Sequence, residues 1–456
     1  MHPGKRLFFY LLLILSCLPA LAQQPVYSFL QDDTLLRKSY YDQSMQVKDR
    51  WLASLPKANA GDYKKIYEEQ FKEIGELWQS SRPVTAPAAQ DYLQSLVQRI
   101  VAANPELKDK AARVVFTRDW WPNACSMGEG TIAINAGLLL YLDNEAELVF
   151  VLCHELGHYY LGHTQQAIKK YVETINSPAF QDELKRLSKT EFGANRQLEK
   201  LALSFAFSNH RHSRDNEGAA DRHAFRLMKR TGYDCGAIQT CLEMLDRVDD
   251  SLLHRPLALQ QVFTFSDYPF KKKWIQQESA IFSQLDDHGG LSAREKDSLK
   301  THPDCSKRIA LLKDSMAAAA GGKPFLVDEQ RFRQLKKDFL VEITEQCWRN
   351  ESLSRHLYYS LLMLQEGNNT PYAVYAVARC LNRLYEKQKE HKLGLTVDTE
   401  SGTYPPDYNQ LLRLLNRIRL DELAELKYQF CNMYRSQLQG YSGFEKEMTT
   451  AQRQRN

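Results

Sequence analysis

Two histidines and two glutamates carry the chemistry this sequence offers: His154, Glu155 and His158 in DNEAELVFVLCHELGHYYLGHT, and Glu217 in SRDNEGAADRHA. Residues four apart share one face of a helix, so His154 and His158 can direct two imidazoles at one ion. Glu155 sits about 100° further round, beside such an ion and not on it. There its carboxylate can take a proton from a metal-bound water, which zinc acidifies to a pKa of about 7. This is the metalloprotease arrangement of HExxH.

The surrounding residues must build the helix that holds these groups. Asn144 with Glu147 three residues on has the spacing of a capping box, and Glu145 and Glu147 suit the positive end of a helix dipole. Ala146, Val149, Phe150, Cys153, Gly157, Tyr160 and Leu161 recur at three and four residues, while Leu148, Val151 and Leu152 make adjacent faces apolar too. The helix should be buried nearly all round. Two histidines and a glutamate are costly inside it unless satisfied, and a metal satisfies them.

A catalytic zinc needs a third protein ligand and an open position. Glu217 and Asp221, four apart in a helix-favouring segment, supply the third ligand and, behind it, an acceptor to orient a ligating imidazole. The pattern HExxHxxGxxH needs glycine three and histidine six residues beyond His158. Here Gly162 and His163 stand at four and five, which excludes that ligand set. His163, His210, His212 and His223 remain unplaced, with surface or supporting positions as their default.

The chain opens with Lys5 and Arg6, an apolar run from Leu7 to Leu18, and Ala20-Leu21-Ala22 before Gln23, the three regions of a secretory signal peptide. The run is roughly 12 residues against about 20 needed to span a bilayer. Cleavage after Ala22 and export are expected, to the periplasm first and full secretion second. Cys17 is preceded by Ile14-Leu15-Ser16, a poor match to a lipoprotein signal. The remaining cysteines, nine less Cys17, would sit where disulfides are permitted, with Cys235 and Cys241 the nearest pair. Cys153 reads as a small core residue. A net charge of +4 on 456 residues, without a basic run, argues against a nucleic-acid partner.

Along the chain, residues 23–87 are helical in character, with YKKIYEEQFKEIGELW as an amphipathic piece, and Tyr92 to Ala102 reads as a further helix. ARVVFT (112–117) and GTIAIN (130–135) read as strands around a turn-rich connection. Gly130, Thr131, Ile132, Ala133, Ile134 and Asn135 are candidates for an edge that pairs with an extended substrate beside the metal. Gln165 to Phe207 is charged and helical, as a flexible insertion or a lid would be. Beyond about Gly321 a linker precedes a helical region, 321–456. There Ser352–Glu366 and Tyr372–Lys389 form an αα-hairpin, and Tyr408–Leu438 continues the pattern. No repeat consensus emerges.

NACSMGEGTIAINAGLL, HELGH with His163 five residues on, SRDNEGAAD and THPDCSKRI (Thr301 to Ile309) together resemble the HtpX-like and CAAX-prenyl-protease metallopeptidases, peptidase family M forty-eight. The four motifs stand in the family's order over about Ala88 to Asp314. The resemblance implies a gluzincin fold with one zinc on His154, His158 and Glu217, and Glu155 as general base. It also implies that GTIAIN is the substrate-facing edge. His302 and Arg308 match the family's late positions near the active site and are further catalytic candidates. The membrane-integral branches carry several transmembrane helices, which this chain lacks after its leader.

The expectation is a mainly α fold with a small β-sheet (α+β), in which a peptidase domain over 88–320 is followed by a helical region. The expected activity is that of a zinc metalloendopeptidase acting on exported or misfolded proteins. The competing reading is an exported chaperone or envelope-assembly factor with a latent zinc site and partner-binding C-terminal helices.

Overall fold

The computed structural model describes residues 27, 29–108, 110, 112–188, 214–248, 257–276, 305–319, 321–367, 370–401 and 404–455. The expected leader lies outside the described residues, as do residues 189–213, which include the end of the charged segment. The fold is α+β, with one four-stranded sheet amid helices.

An antiparallel pair, α1 (Thr34–Ala53) and α2 (Ala60–Gln79), leads to β1 (Pro83–Val84) and α3 (Pro87–Ala103). The sheet continues with β2 (Arg113–Thr117), β3 (Ala124–Ser126) and β4 (Thr131–Asn135), then α4 (Ala136–Tyr141) and α5 (Glu145–Leu161). Its spatial order is β1-β2-β4-β3. β2 and β4 are parallel, with Arg113 opposite Thr131 and Thr117 opposite Asn135, and the outer pairings are antiparallel.

β2 is buried along its whole length, yet its two faces meet different partners, as the two-residue period of a strand requires. Val114 and Phe116 join the core shared with α3 and α5, whereas Val115 packs on Phe71, Ile74 and Trp78 of α2. The N-terminal helices thus cover the sheet face opposite the metal helix.

α5 is buried from Glu145 to Gly157. Its start matches the sequence argument with one difference: Asn144 Oδ1 accepts from Glu147 N at 3.0 Å, but Glu147 reaches back to Asp143 N, at 2.6 Å, and not to Asn144. Gly162 ends the helix at φ 68°, a left-handed conformation glycine adopts without a Cβ penalty. The chain turns there into α6 (His163–Ile175), followed by α7 (Pro178–Ser188).

A helix over 214–228 (α8), α9 (Ala237–Val248), the short α10 (Leu259–Val262) and α11 (Cys305–Ala318) complete this half. The C-terminal region contributes α12 (Glu329–Arg349), α13 (Leu353–Gln365), α14 (Thr370–Lys389), α15 (Pro406–Arg417), α16 (Leu420–Tyr434) and α17 (Ser442–Arg455). Its first helix belongs to the α5 core by packing, since Phe332, Leu335, Phe339 and Ile343 join the same cluster. Arg118 ties β2 to that helix through Glu342 Oε2, at 2.6 Å. The later helices form a second core, into which Leu257, Phe263 and Trp274 of the segment between α9 and α11 insert.

Among the described residues no helix is long and apolar enough to cross a membrane, and the eight cysteines they include are all free.

Candidate metal centre

The 3.6-residue period of α5 brings His154 and His158 onto one face, and α8 delivers Glu217 opposite them. The His154 Nε2 and His158 Nε2 atoms are 3.0 Å apart. Glu217 Oε2 lies 3.4 Å from the first and Oε1 3.2 Å from the second. A tetrahedron with arms of about 2.0–2.1 Å has edges of about 3.4 Å, so these spacings are close to those of three zinc ligands.

The proton count points the same way. His154 Nδ1 is 2.9 Å from Asp221 Oδ1, so the ring donates there and, in the neutral form that metal ligation requires, turns a lone pair from Nε2 inward. His158 Nδ1 is 2.9 Å from His163 Nδ1, and a proton on that side likewise leaves the His158 Nε2 lone pair facing the centre. Two lone pairs and a carboxylate then converge with no donor between them. Such a group of acceptors fits a cation.

The supporting groups are buried and ionic. Arg308 donates through Nε to Asp221 Oδ2 at 2.6 Å and through a terminal nitrogen to Oδ1 at 2.8 Å. Its other terminal nitrogen is 3.1 Å from Glu217 Oε2. Burial alone would raise the Asp221 pKa, but Arg308 and His154 outweigh it and hold the carboxyl at about 2. Glu217 is held well below the usual carboxylate range by His154, His158 and Arg308, again against burial. Burial opposes charge on His154, yet Asp221 and Glu217 raise it to about 10, so without a cation the ring keeps a proton on Nε2 toward Glu217, and a bound metal would take that proton's place. For His163, burial and then the neighbouring His158 lower the value to about 4.

The structure brings His154, His158 and Glu217 together as a candidate metal-binding group, with Asp221 directly behind His154. Glu155 is buried on the neighbouring face of α5. Arg308, a catalytic candidate from the resemblance, is buried, and its guanidinium contacts the carboxylates of Asp221 and Glu217. His302 lies outside the described residues.

One expectation is corrected. GTIAIN is not an edge. β4 is paired on both sides, by β2 and by β3, and Thr131 to Ile134 are buried. Its backbone groups are consumed by the sheet, so it has none to offer a substrate. The edge beside it is β3. Met127 N bonds Thr131 O and Asn135 N bonds Asn123 O, with Cys125 opposite Ala133. In that alternation the N–H and C=O groups of Ala124 and Ser126 point away from β4. β3 also lies against α5, and there the Cys125 thiol is pushed up to about 12, by desolvation and then by the Glu155 carboxylate.

Glu129 fixes the turn between β3 and β4. Its carboxylate accepts from Thr131 N at 2.7 Å, Arg113 at 3.0 Å and Ser44 Oγ at 2.9 Å. At the tip, Gly128 has φ 86°, and an added Cβ would lie 2.7 Å from Thr164 of α6. Sequence reasoning missed β3 as the edge and left His163 unplaced. The three residues of β3 are too few to show alternation, and the one available signal was a histidine five residues beyond the second ligand.

Two histidines from α5 and a glutamate from α8, with a further glutamate beside them, are the side-chain set of a metal-dependent hydrolase. The comparisons define the class further. The model for Peptidase family M48 matches residues 87–316, half of the chain, and the protein belongs to that family of metallopeptidases.

Among curated proteins, the chain is 26% identical over 197 residues to the beta-barrel assembly-enhancing protease of Escherichia coli (strain K12). That match covers 40% of this chain and 39% of the relative. Similarity to the metalloprotease LoiP of the same organism is 25% identity over 196 residues, covering 41% of this chain and 70% of that protein. The mitochondrial metalloendopeptidase OMA1 of Schizosaccharomyces pombe is 26% identical over 212 residues, 46% of this chain and 57% of its own. The chain therefore spans about two fifths of the assembly-enhancing proteases it matches.

Proposed function

We propose that the protein is a zinc-dependent endopeptidase of exported or misfolded proteins, with His154, His158 and Glu217 as ligands and Glu155 as general base. The observation that carries this reading is the convergence of two imidazole lone pairs and a carboxylate beside a further buried carboxylate, beneath a sheet edge with free backbone groups. Bound zinc would supply Lewis acidity toward the scissile carbonyl and a nucleophilic water in the open position.

The chain's own residues do the rest. Asp221 and His163 hold the two imidazoles in their tautomers. Arg308 offsets the negative charge of Asp221 and Glu217. Glu155 accepts a proton at its carboxylate and returns it to the leaving amine. Ala124 and Ser126 pair with an extended peptide and hold it straight across the site. The matched assembly-enhancing proteases, together with a leader-like N-terminus, support an envelope setting and most directly the periplasm.

The test is casein hydrolysis by the purified chain. Activity should disappear with a zinc chelator and return on adding zinc to near stoichiometry. Hydrolysis that persists through chelation would overturn the proposal.

A further inference from the structure

The free edge of β3 is three residues long, too short to keep its own register, so what holds its far end decides how a peptide can pair with it. That end is the turn over 127–130, whose last three residues are buried. Buried carbonyls need donors, and this turn does not supply its own. Thr131 N, which an antiparallel pair would direct at Met127 O, goes to the Glu129 carboxylate at 2.7 Å.

The carbonyls of the turn are answered from other elements instead. Gln70 Nε2 of α2 donates to Met127 O at 2.6 Å, and Gln165 Nε2 of α6 donates to Gly128 O at 2.8 Å. Arg113 of β2 donates through a terminal nitrogen to Glu129 O at 3.1 Å and through its backbone N–H to Gly130 O at 2.7 Å. Gln165 stands two residues beyond His163, whose ring braces the ligand His158, and one beyond Thr164, which packs on Gly128. One turn of α6 therefore touches both the metal centre and the turn that ends the edge strand.

We propose that Gln165, together with Gln70, is a positioning residue for substrate: the two amides fix the β3–β4 turn and, through it, the Ala124 and Ser126 edge beside the metal centre. The proposal rests on the peptidase reading and on its edge pairing. Without these donors a peptide must order the turn as it binds, and that cost falls on affinity. The metal ligands and Glu155 are held by other contacts, so turnover at saturation is kept.

The experiment uses the full chain and a fluorescent decapeptide of neutral sequence, remade with one backbone N-methyl group at each position in turn. Each methyl removes one N–H that could pair with the edge. Binding is measured by anisotropy on zinc-loaded Glu155→Gln, independently of turnover, and kcat and KM are measured on the chain that keeps Glu155. At one position or more, methylation should weaken binding by about fivefold, the size of one hydrogen bond. Gln165→Met keeps the side-chain length and removes the donor. It should raise Kd and KM by about fivefold, leave kcat within about twofold, and shrink the methylation penalty, since the pairing it reports is already weakened. Gln70→Met should act in the same way from α2. Gln166→Met, whose native amide caps Leu161 O at 2.8 Å, should change none of these quantities.

A loss of affinity with an undiminished methylation penalty would mark a general structural defect and overturn the proposal. Unchanged Kd in both glutamine variants, or a fall in kcat alone, would overturn it as well. No methylation penalty at any position would remove the edge pairing and the positioning role with it, while cleavage left the peptidase standing. A methylation penalty that shrinks in Gln165→Met, without cleavage by the unaltered chain, would do the reverse.

Discussion

Asp221→Asn is the most informative single change behind the metal centre. The carboxylate accepts three hydrogen bonds, from His154 Nδ1 at 2.9 Å and from Arg308 at 2.8 and 2.6 Å. An asparagine oxygen placed on the Oδ1 side can keep the first two. Its amide nitrogen then faces Arg308 Nε, donor against donor. One charge-assisted bond is lost and a buried guanidinium is left partly unpaired, which costs about 2–3 kcal/mol of stability. The ligating ring of His154 also loses its anionic partner. Disturbing such a partner typically lowers metal affinity by about 10 to 100-fold, or about 1.4–2.8 kcal/mol. Competition with a colorimetric zinc chelator, run on both proteins after metal removal and reloading, reads this directly. Affinities that agree within about twofold would refute the orienting role of Asp221.

Two other sites give independent expectations. Glu145, at the buried start of α5, accepts from the N–H groups of Leu326, Val327 and Asp328 and from the Tyr92 and Tyr233 hydroxyls. Glu145→Gln replaces one acceptor oxygen by a donor and should cost about 3–5 kcal/mol, seen as a lower urea midpoint; an unchanged midpoint would contradict this. His356 is fully buried between the carbonyl oxygens of Thr344 and Ala376, and burial followed by Arg379 holds its pKa near 4. The unfolded chain therefore binds the extra proton between about pH 6.5 and pH 4. Stability from the neutral ring is complete above that window and falls through it on acidification, by about 3 kcal/mol at pH 4. Thermal melts of the unaltered chain and His356→Gln over this range should diverge from each other; parallel pH curves would refute it.

Much of the centre was legible because its determinants are local. The Asn144 cap, the apolar positions around His154 and His158 and the four-residue step from Glu217 to Asp221 are short-range patterns, and the helices follow them. The hairpin of α13 and α14 was equally readable from its periodicity. The edge strand was not. Ala124–Ser126 is three residues long, too short for alternation to register, and GTIAIN has the stronger strand signature because it is central. Strand order is a long-range property, set here by β2 and β4 pairing in parallel across the β3 excursion. The expected helical run from Tyr408 to Leu438 breaks at Ile418 and Arg419, where the backbone becomes extended. His163 gained its position from the tight turn at Gly162, which no periodicity reveals.

Glu155 as the base beside a zinc held by other residues is decided by zinc content and casein hydrolysis, measured on residues 23–456 and on Glu155→Gln in parallel. One zinc per chain is expected in both proteins, with a loss of about 10² to 10⁴ in rate for the variant. Retention of most activity by Glu155→Gln, with its zinc in place, would contradict it.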